Sequence, residues 1–189
     1  MNLAKKWSVA AILATSLMAA YPAVASPLGS SLREFKAPTS WNGISQAPLA
    51  YHIFCLKSPK DCRPGGPSIV HLSAKTMSKL NLVNYRVNKS IRYSADSKDV
   101  WGAKGGKGDC EDYVLEKRRQ LIRMGIPSGA VRLAAVRTKK GEGHAVLVVK
   151  TTKGDMILDN IRKTIVAKNR TGYRFLATAT SNPLRWNSM

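Results

Sequence analysis

The spacing of apolar residues divides the chain into a helical region and a later region rich in strands. Four apolar residues recur at the three- and four-residue intervals of one helix face: Leu80, Val83, Val87 and Ile91. They predict an amphipathic helix over roughly 73–92, with Ser73 as its N-cap. A second apolar stripe predicts a helix over 110–124, which Gly125 and Pro127 would end.

The second half of the chain changes to short apolar runs separated by turn residues. The runs over 131–136, 144–149 and 156–158 are divided by turns rich in glycine and lysine, and 173–177 has the composition of a further strand. Successive antiparallel strands are the natural result. Helices followed by strands predict an α+β fold, in a single domain that spans 26–189.

The first 25 residues have the pattern of a cleavable export signal. Lys5 and Lys6 precede an apolar stretch over 8–20, and small residues at 23–25 form a cleavage site. Roughly 13 apolar residues are too few for a membrane-spanning helix, which needs about 20. We therefore expect 1–25 to be removed and the mature protein to lie in the periplasm.

The chain is strongly basic, with 31 lysine and arginine residues against 11 aspartate and glutamate residues and a net charge of +20. Removal of the two lysines of the export signal would leave 29 against 11, a net charge near +18. Such a charge attracts anionic partners. For an exported protein an anionic envelope surface fits better than nucleic acid. The basic residues are scattered, however, which is equally typical of a solvated surface without a dedicated partner.

Three cysteines in an exported chain leave one without a disulfide partner. Cys55 and Cys62 flank a short loop with a turn-forming proline, and we predict a disulfide between them. Closing this loop would stabilise the fold by roughly 2–3 kcal/mol in the chain-entropy model. Cys110 is then unpaired, and such a residue is either buried and inert or kept for its reactivity.

Cys110 lies where a glycine-rich loop gives way to the second predicted helix. A cysteine attacks as a thiolate, which a helix N-terminus and a neighbouring imidazolium both favour. His144, which opens an apolar strand, is the best partner among the histidines, and Asp159 ends the next strand in a position to orient it. A histidine at a strand end is more often structural, and Asp159 also suits a turn. Spacing alone leaves both interpretations open.

The register of the hairpin decides whether His144 meets Asp159. A two-residue loop at 151–152 would place the two residues directly opposite each other. A longer loop through Asp155 would place His144 opposite Arg162, and a bulge could reconcile the two. The spacing therefore permits the pair without establishing it.

The local sequence is more specific than the spacing, because it resembles the bacterial transglutaminase-like cysteine peptidases. The resemblance rests on Gly108-Asp109-Cys110-Glu111-Asp112-Tyr113 with Lys117-Arg118, on Gly143-His144-Ala145-Val146, and on Leu158-Asp159-Asn160. It extends to the segments around Cys55 and Cys62, to Val83-Asn84 and Val87-Asn88, and to Pro183 and Trp186. It thus covers most of the mature chain.

This resemblance implies a papain-like or transglutaminase-like core, in which a cysteine-bearing helix packs on an antiparallel sheet. It implies that Cys110 is the nucleophile, that His144 is general base and then acid, and that Asp159 orients the imidazole. The reaction would be hydrolysis of a protein through a thioester. An oxyanion hole would be needed, for which the Cys110 backbone amide is the generic donor.

The resemblance also implies calcium beside the active site, held by Asp109 and Glu111. Carboxylate oxygens suit Ca²⁺, but two carboxylates are an incomplete site, which Asp112, Asp96 or Asp99 would complete. The acids next to Cys110 equally suit the first turn of a helix. No organic cofactor is expected.

The partners that the resemblance implies are a protein substrate, such as a large surface adhesin of a biofilm, and an inner-membrane receptor. The loop over 101–108 is short and rich in lysine and glycine, and this departure from the family pattern, like the high net charge, leaves substrate and receptor open. Two other functions also stay open. One is amide cross-linking with a lysine amine as acceptor, and the other is non-catalytic binding of an anionic envelope component.

Overall fold

The computed structural model describes residues 44–95, 100–102 and 105–189. The predicted export signal, Asp96 and Asp99 lie outside these residues. Within the described part the predicted α+β fold is confirmed, because helices pack on one antiparallel sheet of seven strands. A short two-stranded parallel sheet precedes the helix that carries Cys110.

The helices are α1 (Leu49–Lys57), α2 (Ala74–Ser90) and α3 (Cys110–Arg123). The strands are β1 (Ile44–Gln46), β2 (Arg92–Tyr93), β3 (Lys107–Gly108), β4 (Val131–Arg137), β5 (Gly143–Thr151), β6 (Gly154–Leu158), β7 (Val166–Ala167), β8 (Arg174–Ala179) and β9 (Arg185–Ser188). Among the helices of the described residues, none has both the length and the apolar character needed to cross a membrane.

The two predicted helices are confirmed within a few residues of their predicted ends. The Ser73 side chain accepts a hydrogen bond from the Thr76 backbone N–H at 3.1 Å and caps α2, as predicted. Helix α2 ends at Ser90 because Ile91 is already extended, with φ −102° and ψ 129°. Helix α3 gives way two residues later to Gly125, whose φ of +83° favours glycine.

The seven strands lie in the order β1-β9-β8-β4-β5-β6-β7. Strands β4 to β6 form the antiparallel meander that the apolar runs predict, and β7, which was not predicted, extends it. The further predicted strand is confirmed as β8, but it pairs with β4 on the other side of the meander. Strand β4 is therefore the central strand of the sheet, and it lies between β8 and β5.

The core fills the space between the helices and one face of the sheet. The predicted stripe of α2 is buried there with Val114 and Leu121 of α3 and with Leu147 and Val149 of β5. Alternate residues of the central strands form a smaller cluster on the opposite face, with Tyr173 and Phe175 packed against it. Burial on both faces explains why these strands have continuous apolar runs rather than alternation.

Helix α1 has only a weak apolar pattern and is not predicted from the sequence. Its Tyr51 is fully buried, and its ring packs against Trp101 and Trp186, with centroid separations of 5.2 and 6.4 Å. A disulfide joins Cys55 of α1 to Cys62, with 5.6 Å between their Cα atoms. The sequence misses this helix because its packing partners lie far away along the chain.

The disulfide turn is also fastened to α3. Arg119 donates to the Asp61 carboxylate at 2.6 Å, and the buried Arg118 guanidinium donates to the Asp61 backbone carbonyl. The helix that carries Cys110 at its start is therefore held near its end by the turn that the disulfide closes.

Candidate active site

The structure brings His144 and Asp159 together, with 2.8 Å between His144 Nε2 and Asp159 Oδ1. Both registers predicted from the sequence are wrong. Leu147 pairs with Leu158 and Thr151 with Gly154, so the turn consists of Thr152 and Lys153. Continuing this register would place position 161 opposite His144. Asp159 is therefore a diagonal neighbour on the same face, which is still within side-chain reach.

The Asp159 carboxylate is 1% exposed and accepts hydrogen bonds from three directions. Besides His144, the Ile161 backbone N–H donates to Oδ1 at 3.1 Å and the Tyr173 hydroxyl donates to Oδ2 at 2.7 Å. Burial alone would raise the pKa of Asp159, but the hydrogen bonds from His144 and Tyr173 outweigh it and hold the pKa below its ordinary value. The carboxylate is therefore ionised at neutral pH.

Tyr173 and Arg162 support this pair, and neither was predicted as a site residue. The Tyr173 ring meets the His144 ring edge-on at 6.0 Å and 85°. Arg162 Nε donates to the Tyr173 hydroxyl at 3.3 Å, and its charge lies 3.9 Å from Asp159 Oδ2. No spacing rule indicates these residues, because they approach from the loop after β6 and from the segment before β8.

Two asparagines of α2 hold the segment that carries Asp159. Asn88 Nδ2 donates to the Asp159 carbonyl at 2.9 Å, and Asn84 Nδ2 donates to the Lys163 carbonyl at 3.3 Å. Asn84 and Asn88 both belong to the segments that resemble the family, but their spacing in the sequence did not indicate what either side chain contacts. Their contacts fix where the chain leaves β6 and so position the carboxylate.

Helix α3 begins at Cys110, and Asp112 shapes its first turn. The buried Asp112 carboxylate accepts hydrogen bonds from the Asp109 N–H at 3.1 Å and from the Gly102 N–H at 2.6 Å. Gly108 lies against this carboxylate, and a Cβ at position 108 would come within 2.3 Å of Asp112 Oδ2. Asp112 therefore ties the preceding loop to the helix start.

Cys110 is 6% exposed and has no disulfide partner. Its thiol donates to Glu111 Oε2 at 3.0 Å, while the backbone amide of Ala145 hydrogen bonds to the sulfur. Burial and the Glu111 carboxylate raise the pKa of Cys110 well above its ordinary value, against a smaller lowering by the Ala145 amide. The thiol described here is therefore protonated.

The site contains the elements of a thiol nucleophile with a base. Asp159 accepts a hydrogen bond from Nε2 of His144, so Nε2 bears the proton and Nδ1 is the nitrogen left to act as a base. The sulfur of Cys110 lies against the amide of Ala145, the residue directly after His144. Strand β6 ends at Leu158, opposite Leu147, so the start of β5, which carries His144 and Ala145, extends beyond the end of β6.

Asp109 and Glu111 flank Cys110 and are both half-buried, and carboxylate oxygens are the ligand type that Ca²⁺ prefers. Within residues 44–95, 100–102 and 105–189, no group of three or more histidine, cysteine, aspartate or glutamate side chains is placed to hold a metal. The chemistry of the two donors fits calcium, and the described residues supply only part of a coordination shell.

A cysteine at a helix N-terminus, beside an antiparallel sheet that carries a histidine–aspartate pair, defines the class of papain-like thiol enzymes. The family described as bacterial transglutaminase-like cysteine proteinase matches residues 41–189, and the chain belongs to that family. The resemblance seen in the sequence is thereby confirmed. No curated protein matches the chain.

The fold is similar to that of LapG from Legionella pneumophila. The EGTA-treated structure is 24% identical with a TM-score of 0.50, and the match covers 53% of this chain and 61% of that one. A second LapG structure is 23% identical with a TM-score of 0.49, covering 55% and 64%. A calcium-bound one is 23% identical with a TM-score of 0.47, covering 53% and 63%. The match thus spans less than two thirds of each LapG chain.

Proposed function

We propose that this protein is a periplasmic cysteine endopeptidase that cleaves a protein substrate through Cys110, His144 and Asp159. The observation that carries the proposal is the buried 2.8 Å hydrogen bond between His144 Nε2 and Asp159 Oδ1, beside the helix that begins at Cys110. Family membership supports it, because the family is one of cysteine proteinases.

The reaction is acyl transfer in two steps. His144 Nδ1 takes the thiol proton, the Cys110 sulfur bonds to the scissile carbonyl carbon, and the C–N bond breaks as the imidazolium returns a proton to the leaving amine. Water, deprotonated by the imidazole, then attacks the thioester and releases the carboxylate and the thiol. Asp159 holds the imidazole in the required tautomer and stabilises the imidazolium.

The oxyanion of each tetrahedral intermediate needs hydrogen-bond donors. The Cys110 backbone N–H lies at the first position of α3, where helix amides have no intrahelical acceptor. We propose it as one donor, favoured by the positive end of the helix dipole. Before reaction the S–H group must also turn from Glu111 towards the imidazole, since Glu111 now accepts its hydrogen bond.

We further propose that Asp109 and Glu111 contribute ligands to a Ca²⁺ ion. A bound cation would offset the two negative charges beside Cys110, which at present raise its pKa. Asp112 differs from these two acids, because both its carboxylate oxygens already bind backbone amides.

Chelation tests the calcium proposal in two independent ways. Adding Ca²⁺ to EGTA-treated protein should raise the thermal midpoint and restore cleavage. At a Ca²⁺ concentration a hundredfold above the dissociation constant, the gain in the free energy of unfolding should be about 2.7 kcal/mol. Glu111→Gln should abolish both responses. Glu116→Gln is the matched control, because Glu116 lies on the same helix and pairs with Arg119 at 3.0 Å. An unchanged midpoint with full activity in EGTA would refute calcium binding and leave the triad standing.

The substrate is proposed to be an exported protein such as a surface adhesin, with an inner-membrane receptor as regulator. The support is the predicted export signal together with the resemblance in sequence. The secreted and surface proteins of the wild-type strain should contain fragments that are missing from a Cys110→Ala strain, detectable by quantitative proteomics of new N-termini.

A labelled primary amine separates hydrolysis from cross-linking. Hydrolysis predicts fragments with free C-terminal carboxylates, whereas stable incorporation of the amine into an uncut protein would favour cross-linking instead. Identical proteomes in both strains would refute the proposed proteolysis.

A further inference from the structure

Helix α1 is apolar on two opposite faces, and the described residues cover only one of them. Tyr51 and Phe54 on the inner face are buried in the core. The outer face carries Leu49, Ile53 and Leu56, which are 75%, 44% and 83% exposed. Intervals of four and three residues place these three side chains in one row along the helix, which we call the α1 stripe. A helix that is apolar all round is normally covered all round, so the α1 stripe needs an explanation.

The α1 stripe continues into a groove beside the disulfide. This groove has a volume of about 270 Å³ and is lined by His52, Cys55, Leu56, Pro59, Cys62 and Leu184. Leu56 belongs to both the stripe and the groove, so apolar surface extends from α1 onto the turn Pro59–Cys62. Single exposed apolar residues are ordinary on protein surfaces, whereas a contiguous apolar patch marks an interaction site.

Basic residues lie at the end of the α1 stripe. Lys57, Lys60 and Arg63 come directly after it in the chain, and all three are exposed. From the start of α1 to Arg63 the one acidic residue is Asp61, whose carboxylate binds Arg119 at 2.6 Å. The negative charge of Asp61 is therefore offset, and the surface next to the stripe is positively charged.

We propose that the α1 stripe and these three basic residues bind the surface of a membrane that contains anionic phospholipids. Apolar side chains of an interfacial helix enter the boundary between headgroups and acyl chains, while lysine and arginine stay beside the lipid phosphates. A phospholipid bilayer offers both chemistries over one surface. The protein would lie on the membrane without crossing it. Binding of this kind needs none of the catalytic residues and is independent of the proposed function.

A second copy of this chain fits the α1 stripe less well. A symmetric contact between two stripes would bring the same basic residues of both chains together. Helix α1 has nine residues and is roughly 14 Å long. A contact through it would bury far less than the about 800 Å² per partner that is typical of a stable interface.

The segment over 26–43 of this chain, which lies outside the described residues, also fits less well. Its charged residues are two basic ones and one acidic one, Arg33, Lys36 and Glu34. It therefore carries no net negative charge to match the basic residues at the end of the stripe. Charge complementarity favours the anionic phospholipid over both alternatives.

Co-sedimentation of the mature protein with lipid vesicles tests the proposal. The protein should bind vesicles of phosphatidylcholine with phosphatidylglycerol more tightly than vesicles of phosphatidylcholine alone, and added salt should weaken the binding. Leu49→Ser combined with Leu56→Ser should lower the partition coefficient by about tenfold or more, because two leucine side chains no longer leave water. Leu82→Ser is the matched control, since Leu82 is 37% exposed on α2, outside the stripe.

The contribution of the basic residues is measured in the same assay. Lys57→Gln combined with Lys60→Gln should lower the partition coefficient by roughly fivefold for each lysine. Lys139→Gln combined with Lys140→Gln removes the same charge from two exposed residues of the turn after β4 and is the control. Equal losses in the two charge variants would mean that net charge alone attracts the protein, which would overturn the proposed site.

The leucine variant also separates the membrane from the other occupants. Its thermal midpoint should equal that of the wild type, because exposed side chains contribute little to stability. A lowered midpoint with unchanged vesicle binding would mean that the segment over 26–43 covers the stripe. A wild-type dimer that the variant lacks in sedimentation equilibrium, again with unchanged vesicle binding, would mean that a second copy does.

Either of these results would overturn the proposal, and so would a wild type that leaves the phosphatidylglycerol vesicles unbound. If the double leucine variant does not fold, Ile53→Ser changes a single residue of the same stripe and gives the same comparison. Peptidase activity plays no part in these measurements. A failure of the proposed function and a failure of this proposal are therefore observed separately.

Discussion

Cys110→Ser is expected to lower the rate of substrate cleavage by about four orders of magnitude or more while leaving the fold intact. Serine is close to cysteine in shape, so the 6% exposed site should accommodate it. A serine hydroxyl is far less acidic than a thiol, so a histidine base removes its proton much less readily. The measurement is kcat/KM on the substrate found by proteomics, together with the thermal midpoint.

Alkylation of Cys110 checks the same claim without a substrate. Cys110 should be the cysteine that iodoacetamide labels in native protein, because Cys55 and Cys62 form a disulfide. His144→Gln should slow the labelling. His71→Gln is the control, since His71 is exposed and its Nδ1 lies 3.5 Å from the Thr152 hydroxyl. Equal labelling rates in both variants would contradict a role for His144 as base.

Asp159→Asn is expected to lower kcat by about 10²–10⁴ with little effect on KM. The amide has nearly the shape of the carboxylate but loses its charge, so it neither stabilises the imidazolium nor enforces the tautomer with Nε2–H. It also weakens the hydrogen bonds from Tyr173 and Ile161, so the thermal midpoint should fall.

Tyr173→Phe provides the graded comparison for Asp159→Asn. It removes one hydrogen bond to Oδ2, at 2.7 Å, and leaves the charge and the contact with His144 Nε2 in place. We expect kcat to fall by only about tenfold, which corresponds to roughly 1.4 kcal/mol, near the low end for one hydrogen bond to a charged group. Equal losses in the two variants would mean that Asp159 acts through its shape rather than its charge.

The sequence predicts well those features that arise within one segment. The stripe of α2, its cap at Ser73 and the start of α3 at Cys110 all depend on neighbours a few residues away. The hairpin register was wrong because side-chain hydrogen bonds shape the turn. The Thr151 hydroxyl accepts from the Lys153 N–H at 3.2 Å, and Gly154, with a φ of +97°, becomes the first residue of β6.

The supporting residues of the site could not be predicted, because they meet only through the fold. Tyr173, Arg162 and Asn88 come from three elements and converge on Asp159. The burial of Lys117 could not be predicted either, because this residue was part of a recognised sequence pattern but a lysine on a helix is ordinarily expected to face solvent. Only the packing of α3 shows that this one is buried.

Gly108 and Asp112 belong to the sequence motif around Cys110 for a structural reason that is separate from catalysis. A side chain at 108 would collide with the Asp112 carboxylate that accepts from the Asp109 amide, so Gly108 can be replaced only if Asp112 moves or changes as well. A homologue that kept this pair and lost the cysteine would retain the architecture of the loop and helix while lacking the reaction. Classifying such homologues as proteases on the strength of the surrounding motif would therefore count inactive paralogues as enzymes.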